Sequence, residues 1–155
     1  MPAFVNYDGT PGYSTDASHK DWVDLTTVEV GGQNRSQHGT STSELAGEVQ
    51  MDDVTLTGPW SATTAALRHK MTVNEVIPKA TIEVCAPNAE RTVLKRMVLT
   101  NVRVIEARDT SGDNGQMTDR VALDYESITW QIRNPEGVFI GGGWSKKERK
   151  PIDPA

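Results

Sequence analysis

Two register slips within alternating stretches constrain this chain more than any other feature of its sequence. In "TVLKRMVLTNVRVIEAR", Val93, Met97 and Leu99 occupy odd positions, whereas Val102 and Val104 occupy even ones. Strand side chains alternate between two faces, so a slip of one residue moves the whole apolar set to the other face. A bulge or strand break near Thr100 and Asn101 is therefore expected. "RVALDYESITWQI" repeats the pattern: Val121, Leu123 and Tyr125 are odd, while Ile128, Trp130 and Ile132 are even. The chain must bend near Glu126. Many strands, few helices and such parity switches point to a mainly β fold, an antiparallel sandwich of two sheets or a closed barrel.

The rest of the chain fits that plan. Phe4 and Val5 begin a short first strand, which "NYDGTPG" turns away through glycine and proline. Trp22 to Val30 reads as the next strand, with Val28 and Val30 on one side and Thr27 and Glu29 on the other. Gly31 to Gly47 is too polar to pack and reads as a long loop or loose hairpin tip. Alternation returns before Pro59, with Val54 and Leu56 on one face, and again in "ATIEVCA", with Ile82 and Val84.

One short helix is expected over "SATTAALRHKMTV", where Leu67 and Met71 are four apart and alanines supply propensity. Ser61, Thr63 or Thr64 would cap it and Asn74 would close it. Its few large apolar groups suit a helix that flanks a sheet edge or barrel mouth. "GVFIGGGWS" closes a single domain over 1–145, leaving 146–155 as a charged tail.

Composition narrows what such a domain can do. At 155 residues the chain is long enough for a core without disulfides, and its single cysteine, Cys85, allows no internal bridge. A net charge of −5 disfavours nucleic acid as a partner, because phosphate binding needs a positive field. No apolar run is long enough for membrane insertion, and "MPAFVNYDG" lacks the basic and apolar regions of a Sec signal. The hydrophobic fraction of 36% is low, so either much of the chain is loop or neighbouring subunits supply stability.

Nothing in the sequence demands catalysis or a cofactor. His19, His38 and His69 share no metal-ligand spacing with one another or with Cys85, and read as solvated or locally hydrogen-bonded. "DTSGDNG" has Asn114 where a calcium loop needs glycine, and fits a hairpin turning at Asn114-Gly115. "GVFIGGG" lacks dinucleotide-loop spacing, and there is no nucleophile elbow or P-loop. Asp52-Asp53 reads as a solvated strand entry.

The order of "STDASHKDWVDL", "TIEVCAPNAE", "VLTNVRVIEARDTSGD", "VALDYESITW" and "GGGWS" resembles the Hcp family, the haemolysin-coregulated proteins of type VI secretion systems. The resemblance spans almost the whole chain; its most telling pieces are Ser14 to Asp16 with His19, Leu99 to Val102, and Tyr125. The chain departs from the family in having Val28 and Val30 at positions that are often aromatic, and Pro87-Asn88 where a glycine pair is common.

The resemblance implies a phage tail-tube-like barrel with a flanking helix, forming homo-hexameric rings that stack into the inner tube. It further implies secreted effectors in the lumen and contacts with sheath and spike or baseplate components. Assembly would take place in the bacterial cytoplasm, followed by release outside or into target cells without Sec. A closing head-to-tail contact gives a ring, and ring-on-ring contacts give a filament. On this reading Glu29 and Thr27 line the lumen, where a circle of Glu29 carboxylates would set up a negative field. Gly39, Thr40 and Ser41, with Asp52, Asp53 and Trp60, would reach the adjacent ring. Two alternatives stay open: a tail-tube or baseplate protein of a phage-like particle, and a small secreted binding domain or hydrolase. About a dozen residues after Trp144 are too few for an added catalytic domain.

Overall fold

The computed structural model describes residues 1–35, 48–115 and 117–154. β1 (Ala3–Tyr7), β2 (Val23–Leu25), β3 (Thr27–Glu29), β4 (Gly32–Asn34), β5 (Val49–Met51) and β6 (Val54–Pro59) precede the helix α1 (Thr63–Thr72). There follow β7 (Ile77–Cys85), β8 (Val93–Ser111), β9 (Met117–Asp124), β10 (Ser127–Arg133), β11 (Phe139–Ser145) and β12 (Lys150–Pro151). All pairings are antiparallel. One sheet runs β12-β11-β10-β8-β7-β1-β2, a second runs β3-β6-β9-β8, and β4 pairs with β5 as a separate arm.

β8 belongs to both sheets, and the first register slip shows how. Its beginning lies between β7 and β10, whereas from Arg103 onward it pairs with β9. Asn101, at φ 48°, stands in the left-handed region between these parts. One residue there resets the phase of the strand. Met97 and Leu99 before it and Val102 and Val104 after it are consequently all buried in one core. The second slip falls at Tyr125 and Glu126, between β9 and β10, where the chain turns. Tyr125 is buried, its hydroxyl donates to the Asp52 carbonyl at 2.8 Å, and Lys146 Nζ sits 4.0 Å above its ring.

The stretch Trp22 to Val30 departs from expectation, because it forms two strands in different sheets. β2 pairs with β1 and β3 pairs with β6. Thr26 makes the transfer: its N–H and its hydroxyl both donate to the Thr57 carbonyl, at 2.8 and 3.2 Å. The crossing is tight, since a Cβ at Gly58 would stand 2.4 Å from the Asp24 carbonyl oxygen. β2 and β3 thereby close the two sheets into a barrel. Val5, Leu56, Ile82, Met97, Leu99, Leu123 and Ile128 fill it.

α1 flanks the barrel with Leu67 buried against it, and Arg68 reaches across to the Ala107 carbonyl and Asp109 on β8. The N-cap position is Ala62, which has no capping side chain. Ser61 takes part from one residue earlier, its hydroxyl accepting the Thr63 N–H at 3.2 Å. The Asp119 carboxylate then accepts both the Ser61 N–H, at 2.8 Å, and the Thr64 hydroxyl. Asn74, at φ 54°, follows the helix end in the left-handed conformation that terminates many helices. Within 146–154, Lys150 and Pro151 pair with Ser145 and Trp144, and the Ile152 N–H donates to Gly143.

His19 also differs from expectation. It is buried at 1% exposure, because Phe4, Trp22 and Cys85 form a small cluster on the outer face of β1 and β7. Its ring stacks on Phe4 at 4.2 Å. Nδ1 lies 2.9 Å from Asp16, a local contact, but Nε2 lies 2.9 Å from Glu83, far away in sequence. Arg91 pairs with Asp16 at 2.9 Å, and Arg96 with Glu83 at 2.6 Å. Hydrogen bonds from Arg91 and then His19 hold the Asp16 carboxyl below its usual range, while burial pushes the Cys85 thiol up.

Candidate functional site

The outer face of the second sheet is the surface on which Glu29 stands. Val28, Leu56, Val121 and Ala107 point into the barrel, so their neighbours along each strand point out. Cross-strand register arranges those neighbours in rows. Glu29 is opposite Thr55, Thr55 opposite Ala122, and Ala122 opposite Glu106. The next row is Thr27, Thr57, Arg120 and Arg108. Two residues separate the rows, roughly 7 Å of strand rise. Thr27, Glu29, Arg108 and Arg120 are exposed, and none of these eight residues carries a large apolar side chain. A sheet face so composed is built to meet water or a polar partner.

The charges on this face form bands. One row carries two carboxylates and the other two guanidiniums. Glu106 bridges the rows, accepting from Arg120 at 2.5 Å and lying 3.6 Å from Arg108. The uniformly negative field expected from Glu29 alone is therefore opposed by the neighbouring arginine row. Local alternation gave the side on which Glu29 emerges but not which strands flank it. The hairpin turn was the available signal, since Arg108 and Arg120 lie equally far from Asn114 and must meet across it.

Of the residues expected to reach an adjacent ring, Asp52-Asp53 and Trp60 stand apart. Gly39, Thr40, Ser41 and His38 lie outside the described residues. Asp52 and Asp53 are exposed just before β6, beside Glu29 and Arg120 in one depression. Trp60, 58% exposed, follows the far end of β6 and pairs with Met117 through its N–H. Six strand residues separate the two places, so Asp52-Asp53 and Trp60 mark opposite ends of the barrel wall, about 20 Å apart at ordinary strand rise.

A family model described as "Type VI secretion system effector, Hcp" matches residues 4–132. The chain belongs to the Hcp family. Hcp proteins are the tube proteins of type VI secretion, and their role there is structural. Solved Hcp structures share the fold. The chain is 18% identical to Hcp1 from Salmonella typhimurium, with 97% of this chain and 98% of that one covered and a TM-score of 0.82. A type VI secretion system effector from Yersinia pestis is 12% identical, with 92% and 98% covered and a TM-score of 0.76. A protein described only as a type six secretion system protein is 19% identical, with 98% and 99% covered and a TM-score of 0.86. No curated protein sequence matches the chain. Among the described residues no helix is long and apolar enough to cross a membrane.

Proposed function

We propose that this chain is the repeating subunit of a type VI secretion inner tube. Six copies close head to tail into a ring, rings stack into a tube, and effectors travel in the channel. Residues 1–145 act as one Hcp-like domain, with 146–155 as a charged tail. The tube assembles in the bacterial cytoplasm, engages sheath and spike or baseplate components, and is then expelled. The observation that carries this reading is the family match over residues 4–132. The polar second-sheet face agrees with it, because a channel wall must stay wetted while the opposite face is packed.

On this reading Glu29 and Thr27 face the channel. Asp52 and Asp53 at one end of the wall and Trp60 at the other meet adjacent rings, together with Gly39, Thr40 and Ser41. Ring-on-ring stacking requires contacts at both ends, so their separation suits a repeating contact. Negative-stain micrographs of the purified chain should show annular particles with a stain-filled channel; dispersed single subunits would count against the ring. Glu29→Arg is expected to leave folding and the annular particles unchanged, since Glu29 is exposed and contributes little packing. Co-purification of at least one effector should change, and the change should shrink at high salt. Unchanged capture of every effector would limit Glu29 to keeping the wall soluble.

A further inference from the structure

We propose that His19 is a buried imidazolium, with a proton on each ring nitrogen at neutral pH, and that this second proton latches the loop from Gly12 to Trp22 over Cys85.

Counting donors and acceptors supplies the first argument. Both ring nitrogens face carboxylate oxygens, Asp16 at Nδ1 and Glu83 at Nε2, each at 2.9 Å. An ionised carboxylate only accepts hydrogen bonds, whereas a neutral imidazole has one N–H and one lone pair. A neutral ring would set its lone pair against a carboxylate, at a site where 1% exposure leaves water no room to intervene. Protonating a carboxylate instead is opposed by two arginines. Asp16 accepts from Arg91 at 2.9 Å through its other oxygen, and Glu83 accepts from Arg96 at 2.6 Å through its own. The row Arg91, Asp16, His19, Glu83, Arg96 alternates in charge only when the ring carries both protons. The Cys85 thiol lies 3.8 Å from Nε2; burial pushes it up, so it stays neutral and adds no charge.

The way the loop is attached supplies the second. Its backbone hydrogen bonds are internal: the N–H groups of Gly12, Ser14, Asp21 and Trp22 donate to the carbonyls of Asp21, Trp22, Ser14 and His19. Two carboxylate contacts fasten it to its surroundings, His19 with Glu83 on β7 and Asp16 with Arg91 in the turn after β7. Loss of the ring proton cuts the first, and a self-contained loop can then lift while the strands beneath stay paired. Cys85 has no exposed surface and touches the ring, so lifting uncovers its thiol. The closed loop holds a proton that the open loop releases above the ordinary imidazole range, near ~6.5. Closure is therefore complete below that pH. Above it, closure weakens about tenfold per pH unit until the closed ring itself loses the proton.

Two measurements on the full-length protein test this. Nitrogen NMR spectra of the histidine rings at mildly alkaline pH should show both nitrogens of His19 protonated, and only one of the exposed His69. Alkylation of Cys85 by iodoacetamide, relative to a short peptide carrying the same cysteine at the same pH, should rise about tenfold per pH unit over this range. Cys85 is the single cysteine, so the signal has one source. Glu83→Gln and, separately, Asp16→Asn replace an acceptor by an amide that can donate to a bare ring nitrogen. Each should leave His19 singly protonated at neutral pH and flatten the alkylation profile, with circular dichroism confirming that the barrel is intact. One bare ring nitrogen on His19 in the parent protein at neutral pH, a flat alkylation profile there, or an unchanged slope in both variants would overturn the proposal. Both readouts lie within one subunit and do not depend on six copies closing into a ring.

Discussion

Replacing His19 by alanine is expected to lower folding stability by roughly 2–5 kcal/mol, the range for emptying the site of a large buried side chain. The side chain is almost wholly buried and does several things at once. It meets Asp16 and Glu83 at 2.9 Å each, stacks on Phe4 and receives the edge of Trp22. Alanine would leave a void beneath Phe4 and remove one of the two partners of the buried Glu83, which keeps Arg96. Denaturant unfolding of His19→Ala and of His19→Ala combined with Glu83→Gln would separate the parts. A further loss in the double variant would show that Glu83 still draws stability from its pair with Arg96. A loss below about 1 kcal/mol in the single variant would show that the cluster is ornamental to folding.

The same cluster carries a pH dependence. The Asp16 carboxyl is held low by hydrogen bonds from Arg91 and His19. A carboxyl depressed in the folded state contributes stability that is present above its unfolded pKa and is lost as pH falls through its folded one. The loop from Gly12 to Trp22 should therefore loosen on acidification, in step with protonation of Asp16.

Leu99→Ala is expected to cost about 2–5 kcal/mol, the range for truncating a large aliphatic side chain in a closed core. Leu99 has no exposed surface and stands between Ala80 on β7 and Ile128 on β10, just before the Asn101 kink. Collapse around the void is hindered, because β8 is fixed on both sides there and must still enter the second sheet four residues later. Ile132→Ala is the control: Ile132 follows the same parity as Ile128 but is 50% exposed, and its loss should stay near 0.5 kcal/mol. Equal effects at the two positions would contradict the barrel as described.

What could be read from the sequence was what local alternation controls. The slip at Thr100 and Asn101, the bend near Glu126 and the helix all follow from periodicity within a dozen residues, and the structure has them in place. The division of Trp22 to Val30 was hidden, because it depends on Thr26 meeting Thr57, and no pattern within the segment marks that contact. His19 reads from the sequence as solvated or locally hydrogen-bonded for the same reason. Its local partner Asp16 is visible three residues away, but Glu83 is brought in by the pairing of β1 with β7. Alternation gives Glu29 its outward direction, yet the charge of its face depends on β9 and β8, which join β6 and β3 in one sheet only in the folded barrel.

The central claim is that this barrel is one-sixth of a closed ring. Each joint should bury on the order of 1,000 Å² or more, as stable specific interfaces do, and so should survive dilution. Native mass spectrometry of the purified full-length chain at micromolar concentration tests this most directly. A dominant species at six times the single-chain mass is the expected result, and a spectrum of monomers alone, across the accessible concentration range, would contradict it.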